Sequence, residues 1–296
     1  MNIWITGCSG FLGQRLTKHF SERGHNVLGL SRRGCATATE SIEIDLSNAK
    51  SRATLRSLPT KQGVPDSVIH AAAQQPGPYD LSTFVNSNVR SASNLTETLS
   101  EFPPKQVIYT STQSVYGRPA SLPVDESRPA GGQLPYGATK RWAEQLFENM
   151  QTKSQVIVLR LPSLYGAGQA DSFIDGLART AQDGGPIELF NNGELIRDAL
   201  HVCDVVKAID SCVQLTASPG FSVINLGCGA AIKTSEWARG LIDALNSRSD
   251  IIPVDRPASH FDFYADISEA RSKLGFEPMS LQESMTVYAN ELRASS

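Results

Sequence analysis

The chain lacks the cysteine pattern of a disulfide-stapled or zinc-structured protein. Its five cysteines (Cys8, Cys35, Cys203, Cys212 and Cys228) are odd in number and contain no C-x-x-C pair, so they are expected to pack as small apolar thiols in a reducing compartment. The five histidines (His19, His25, His70, His201 and His260) include no H-x-x-x-H pair, and no metal site is expected. Long apolar runs are missing too: the longest nearly apolar stretch, Val156–Leu161, is far too short to cross a bilayer. No basic leader with an apolar core precedes the strand-like start Met1–Thr6, and a soluble cytoplasmic protein is expected. Neither G-x-x-x-x-G-K-S/T nor G-x-S-x-G occurs, which removes the signatures of nucleotide hydrolysis and serine esterase chemistry. Basic and acidic residues number 27 and 30, without a long like-charge run, so a broad nucleic-acid face is not expected.

What the chain does have is material for a sizeable core: 296 residues, 40% of them hydrophobic. Short Val- and Ile-rich runs recur at Ile3–Thr6, Val27–Leu30, Ile42–Ile44, Ser67–His70, Val107–Thr110 and Val156–Arg160. Between them lie helix-like stretches, including Leu12–Arg23, Val85–Phe102 and Tyr136–Met150; in the last, Trp142, Leu146 and Phe147 are expected to be core contacts. This alternation predicts an α/β fold, a Rossmann-type doubly wound parallel sheet covered on both faces. After Arg160 the alternation breaks into Gly-, Pro- and Asn-punctuated segments, with a late strand at Ser222–Leu226 and a helix near Ser235–Leu245. The expected division is therefore a nucleotide-binding domain over 1–160 and a smaller substrate-binding region over 161–296. The two are partly interleaved, because the strand near 222–226 is expected to return to the sheet.

The first strand runs into Thr6-Gly7-Cys8-Ser9-Gly10-Phe11-Leu12-Gly13 and then a helix. Glycine triplets also occur in ordinary tight turns, but between a strand and a helix the missing β-carbons let backbone approach a pyrophosphate, held by free N–H groups and the helix dipole. The second strand ends in Ser31-Arg32-Arg33, where an acidic residue usually bonds the adenosine ribose. A hydroxyl and two guanidinium groups suit a 2′-phosphate instead, so NADP is expected over NAD; the plain alternative is a pair of solvated loop arginines. Asp45-Leu46 and Ala71-Ala72-Ala73, after the third and fourth strands, are placed to flank the adenine and ribose.

Tyr136 and Lys140 stand four residues apart at the start of a helix and so share a face. A nearby ammonium favours phenolate, and a lowered phenol is a competent proton exchanger for an alcohol–ketone interconversion. The strand Val107–Thr110 empties into Ser111-Thr112-Gln113-Ser114-Val115-Tyr116-Gly117, whose hydroxyls can orient a substrate oxygen.

Together these segments resemble the extended short-chain dehydrogenase/reductases, the family of nucleotide-sugar epimerases, dehydratases and reductases. The ordered matches run from Thr6–Gly13 through Asp66–Ala73, Asn88-Val89, Thr112, Tyr136/Lys140, Leu159-Arg160, Tyr165-Gly166, Arg197–Asp204 and Asn225–Gly227 to Ala265-Asp266. The resemblance implies that Thr112 polarises the substrate oxygen, Tyr136 exchanges its proton, and Lys140 holds the nicotinamide ribose. It places Gly7, Ser9, Gly10, Phe11, Leu12, Gly13, Leu161 and Pro162 in the cofactor set, and Gln113, Ser163, Arg197 and Arg256 with the substrate; Asn88 is expected to be a supporting residue. Arginine forks suit a diphosphate, against the plainer reading of a structural Arg197–Asp198 or Arg197–Asp204 pair.

Three departures narrow the reaction. Gln113-Ser114 follows Thr112 where dehydratases of the family carry Asp-Glu, Ser31-Arg32-Arg33 favours the cofactor usual in net reduction, and Ser163 and Ala258-Ser259 replace common base and phosphate contacts. The expected activity is NADPH-dependent reduction of a nucleotide-linked 4-keto (6-deoxy) sugar. Nucleotide-sugar epimerisation, reduction of a non-nucleotide carbonyl compound and a non-catalytic NADP sensor are the competing readings. A homodimer, without nucleic-acid or membrane partners, is what the family implies.

Overall fold

All seven strand-like runs read from the sequence overlap strands of one sheet; the central strands are aliphatic and buried, as runs covered on both faces require, while the two edge strands are less buried. The computed structural model describes residues 1–132, 134–170, 172–257 and 260–295. In chain order the first elements are β1 (Asn2–Thr6), α1 (Phe11–Glu22), β2 (Asn26–Ser31), β3 (Glu40–Glu43), α2 (Ser51–Gln62), β4 (Ser67–His70), α3 (Leu81–Phe84), α4 (Ser91–Glu101), β5 (Gln106–Thr112), α5 (Pro135–Glu148) and β6 (Gln155–Leu161). There follow β7 (Ser163–Tyr165), α6 (Phe173–Asp183), β8 (Ile187–Phe190), β9 (Ala199–His201), α7 (Val202–Gln214), β10 (Gly220–Asn225), α8 (Thr234–Leu245), β11 (Ile251–Val254), α9 (Ser268–Leu274) and α10 (Leu281–Ser295).

The chain divides into two compact units. The first takes Met1–Gly117, Pro129–Arg160 and Ala208–Ile224. Its parallel sheet has the order β10-β6-β5-β4-β1-β2-β3. Ile3 pairs with Val27 on one side and Ser67 on the other, so the order reverses direction at β1 and β4. That switch point, beyond the carboxyl ends of the strands, is where such sheets bind ligands. Trp4, Leu28, Val68, Leu95, Val107, Phe147 and Val158 belong to one buried cluster in this unit.

The helix expected over Val85–Phe102 is present and runs to Glu101, but it begins earlier, with α3, and its Val85–Arg90 portion is a wider π-helical stretch leading into α4. Asn88 lies in that stretch, buried, accepting from the Gln74 N–H at 2.8 Å and donating to Thr139 Oγ1 at 3.2 Å. A π-turn commonly marks such a functional position. Trp142 departs from expectation in another way: it is 49% exposed, while Phe147 is buried, because helical spacing alone does not say which flank of the stripe meets the sheet.

The second unit takes Arg118–Arg128, Leu161–Lys207 and Asn225–Ser296. It holds two short parallel ladders, β7 with β9 and β8 with β11, around a core that includes Tyr165, Leu177, Trp237, Met285 and Tyr288. Four of its strands have three or four residues each, too short for a periodic signal in the sequence.

Candidate active site

The turn after β1 is built by close backbone approach. Gly7 sits at φ 69°, and a β-carbon there would lie 2.8 Å from Ala72 Cα. At Gly13 a β-carbon would lie 2.0 Å from the Gly7 carbonyl oxygen, so α1 can pack onto the turn only as glycine. Gly10 caps α1 with no side-chain hydrogen bond, and the first turn has no acidic residue. Backbone N–H donors at this helix start therefore have no competing side-chain acceptor, which fits the pyrophosphate of a dinucleotide. Ser9 keeps its carbonyl on Gln14 Nε2 at 2.8 Å, and Phe11 and Leu12 are half-buried beside the turn.

Beyond β5, Thr112, Tyr136 and Lys140 come together. Thr112 Oγ1 accepts the Ser114 N–H at 3.2 Å, which caps the short turn Gln113–Tyr116. Burial of the Tyr136 phenol pushes its pKa up to about 12, only partly offset by a hydrogen bond with Thr112. This is opposite in direction to the lowered phenol expected from the Tyr-Lys spacing. The reason is geometric: Lys140 Nζ donates to the Thr110 carbonyl at 2.7 Å and lies 4.3 Å from the centre of the Tyr109 ring. Burial pulls the Lys140 pKa down to about 7, with Glu144 working the other way. Gln113 is half-buried, and its Oε1 is enclosed without a hydrogen-bond partner among the described residues.

One layer beneath lies a network that the sequence motifs did not reveal. Glu144 accepts from Ser111 Oγ at 2.5 Å, Arg141 Nη1 at 3.0 Å and Arg160. The available signal was the i, i+4 spacing of Lys140 and Glu144 on one helix face.

At the cofactor end, Ser31 is buried, bonded to the Arg33 carbonyl and 3.0 Å from Cys8 Sγ. Its hydroxyl is thus engaged inside the protein, whereas Arg32 and Arg33 are exposed and form no ion pair among the described residues. Asp45 is exposed with Oδ1 on Ser47, and Leu46 is buried with its carbonyl on Asn94 Nδ2 at 2.7 Å. Ala71 and Ala72 anchor to Thr6 through their N–H groups, both at 3.3 Å, and Ala73 is half-buried.

The second unit carries the remaining residues. Leu161 and Pro162 are buried; Ser163 pairs with Ala199 in the β7–β9 ladder. Arg197 is half-buried, its guanidinium 5.3 Å from the Phe173 ring centre, and burial lowers its pKa. The structural pairings weighed against a binding role are not formed. Asp198 instead accepts backbone N–H groups of Cys228 and Ala265, each at 2.9 Å, and Asp204 that of Met279 at 3.1 Å. Arg256 is exposed just after β11. Ala258 and Ser259, two of the noted departures, lie outside the described residues.

The doubly wound sheet, the glycine turn at its switch point and the Tyr136/Lys140 helix define an extended short-chain dehydrogenase/reductase. Residues 3–227 match the model of the NAD dependent epimerase/dehydratase family, and the chain belongs to that family. It is 25% identical over 321 residues to protein CapI of Staphylococcus aureus, covering 94% of each chain. With the UDP-glucuronate 4-epimerase of Thermodesulfobacterium geofontis it shares 26% identity over 313 residues, 95% of this chain and 93% of that one. Among solved structures, MoeE5 in complex with UDP-glucuronic acid and NAD superposes with a TM-score of 0.86 at 27% identity, over the full length of both chains. Among the described residues no helix is long and apolar enough to cross a membrane.

Proposed function

We propose that the protein epimerises C4 of a UDP-linked hexose or hexuronic acid. The observation that carries this reading is full-length similarity to a UDP-glucuronate 4-epimerase and to MoeE5 in complex with UDP-glucuronic acid and NAD, together with the Thr112, Tyr136 and Lys140 constellation. It replaces net reduction of a 4-keto sugar as the leading reading. A bound nicotinamide nucleotide supplies the means to oxidise and re-reduce the sugar carbon. Tyr136 takes the C4 hydroxyl proton during oxidation and, after the 4-keto sugar has turned over to present its opposite face, returns a proton to the C4 oxygen during reduction, with Thr112 positioned to bond that oxygen. Lys140 would hold the nicotinamide ribose and steady the Tyr136 phenolate once its Nζ leaves the Thr110 carbonyl, to which it donates at 2.7 Å. Arg197 grips the diphosphate of the substrate, since it is a half-buried cation with no carboxylate partner among the described residues.

One observation favours the second reading, NADPH-dependent reduction of a nucleotide-linked keto sugar: exposed Arg32 and Arg33 suit a 2′-phosphate. Incubation with UDP-glucose or UDP-glucuronic acid and either NAD or NADP, and separately with a nucleotide-linked 4-keto sugar and NADPH, followed by chromatography of the sugars, separates the two. Epimer formation without net change in nicotinamide absorbance supports epimerisation. Absorbance loss only with NADPH and a keto sugar overturns it in favour of reduction. An Arg32→Ala/Arg33→Ala variant that loses NADPH affinity while keeping NADH affinity would assign the 2′-phosphate contact.

A further inference from the structure

Three metal-ligating side chains of the second unit have no part in the proposed turnover. His201 closes β9, Cys203 lies in the first turn of α7, and Glu291 projects from α10. An imidazole nitrogen, the Cys203 thiol sulfur and a Glu291 carboxylate oxygen all lie within 4.8 Å of one another. His201 Nε2 is 3.3 Å from Glu291 Oε2, close to the ~3.3 Å separating two ligands held about 2.0 Å from a tetrahedral zinc ion. The cluster is also oriented: the Ala167 N–H donates to Oε2 at 2.8 Å, and the His201 side chain is fully buried while that of Glu291 is 27% exposed. Half-buried Cys203 and Glu291 leave an approach from solvent.

We propose that His201, Cys203 and Glu291 form a binding site for one zinc-class divalent cation, with solvent completing the coordination. The donor set of sulfur, imidazole nitrogen and carboxylate oxygen selects zinc or cadmium over magnesium and calcium. Charge balances, because a thiolate and a carboxylate meet the two positive charges of the ion. The thiol proton, and the imidazolium proton where present, leave to solvent. Donors up to 4.8 Å apart must close to the ~3.5 Å that sulfur at about 2.3 Å and oxygen or nitrogen at about 2.0 Å from a tetrahedral zinc require, a change of about 1.3 Å that side-chain rotation at the two half-buried residues can share. An occupied site would tie α10 to the junction of β9 and α7 and so raise thermal stability. No sequence pattern announces it, since Glu291 lies 90 residues from His201.

The full chain, cleared of metal with a chelator, is titrated with zinc chloride and, separately, magnesium chloride by calorimetry. One zinc per chain, no magnesium binding, a raised melting temperature and a thiolate-to-cadmium charge-transfer absorption with cadmium chloride are expected. Cys203→Ser should remove that absorption and weaken zinc binding at least about tenfold; Glu291→Gln should weaken it too, and Cys228→Ser should leave it unchanged. Absence of stoichiometric zinc binding, or equal affinity in Cys203→Ser, would overturn the proposal and leave a His201–Glu291 pair beside a bystander thiol. Should Cys203→Ser fail to fold, alkylation of Cys203 in the native protein is read by mass spectrometry. Protection by zinc supports the site, and unchanged labelling overturns it.

Discussion

Arg160 holds Glu144 in the interior through two hydrogen bonds, Nε to Oε1 at 3.1 Å and Nη2 to Oε2 at 2.8 Å. The two side chains are 4% and 0% exposed. Glu144 is one helical turn beyond Lys140 and works against the cost of burying that ammonium. The pair therefore sets the charge beneath the proposed catalytic residues as well as joining β6 to α5.

Removing one member of a buried pair leaves the other charge uncompensated. Arg160→Met is expected to lower stability by about 3 kcal/mol, the lower end for such pairs, because Ser111 and Arg141 still serve Glu144. Chemical denaturation of the variant, alone and combined with Glu144→Gln, checks this; the double variant should recover part of the loss.

Lys140 gives stability a pH dependence of defined sign. Its folded pKa of about 7 lies below the ordinary lysine value of 10.5, so between these values the unfolded chain binds the extra proton. Stability from this group rises with pH across that window, by about 1.4 kcal/mol per unit where the difference is one full proton. Below pH 7 the cost of burying the ammonium is fully present. Lys140→Met should flatten the rise, and denaturant titrations of both proteins at pH 7 and pH 9 would show it; parallel curves would refute it.

Tyr136→Phe removes the proposed proton-exchanging group and the bond to Thr112 while keeping the ring, which packs edge-on to Phe84 at 6.1 Å. Turnover of the UDP sugar should fall about 10²- to 10⁴-fold, the usual contribution of a positioned acid or base. Nucleotide affinity, measured by calorimetry, should change little.

Arg197→Ala tests the proposed diphosphate contact apart from the chemistry. Because Arg197 forms no ion pair among the described residues, the melting temperature should barely move. Affinity for UDP should drop about 10- to 100-fold, as expected for a lost charged hydrogen bond worth ~1.5–3 kcal/mol. Calorimetry with UDP alone gives the answer; unchanged affinity would place the diphosphate elsewhere.

Local pattern alone determined much of this protein. Val- and Ile-rich runs of three to five residues marked the seven sheet strands, the Gly7–Gly13 spacing marked the turn at the switch point, and the four-residue spacing of Tyr136 and Lys140 put them on one helix. Such features are legible because strand and helix periods and β-carbon sterics act over a few residues. Tertiary structure alone decided how tightly Tyr136 holds its proton, that Ser31 is engaged by Cys8 while Arg32 and Arg33 form no ion pair among the described residues, and that Trp142 faces outward. It also brought Glu291 to His201 and Cys203. Desolvation and charge pairing depend on which distant segments pack together, and no spacing along the chain records that.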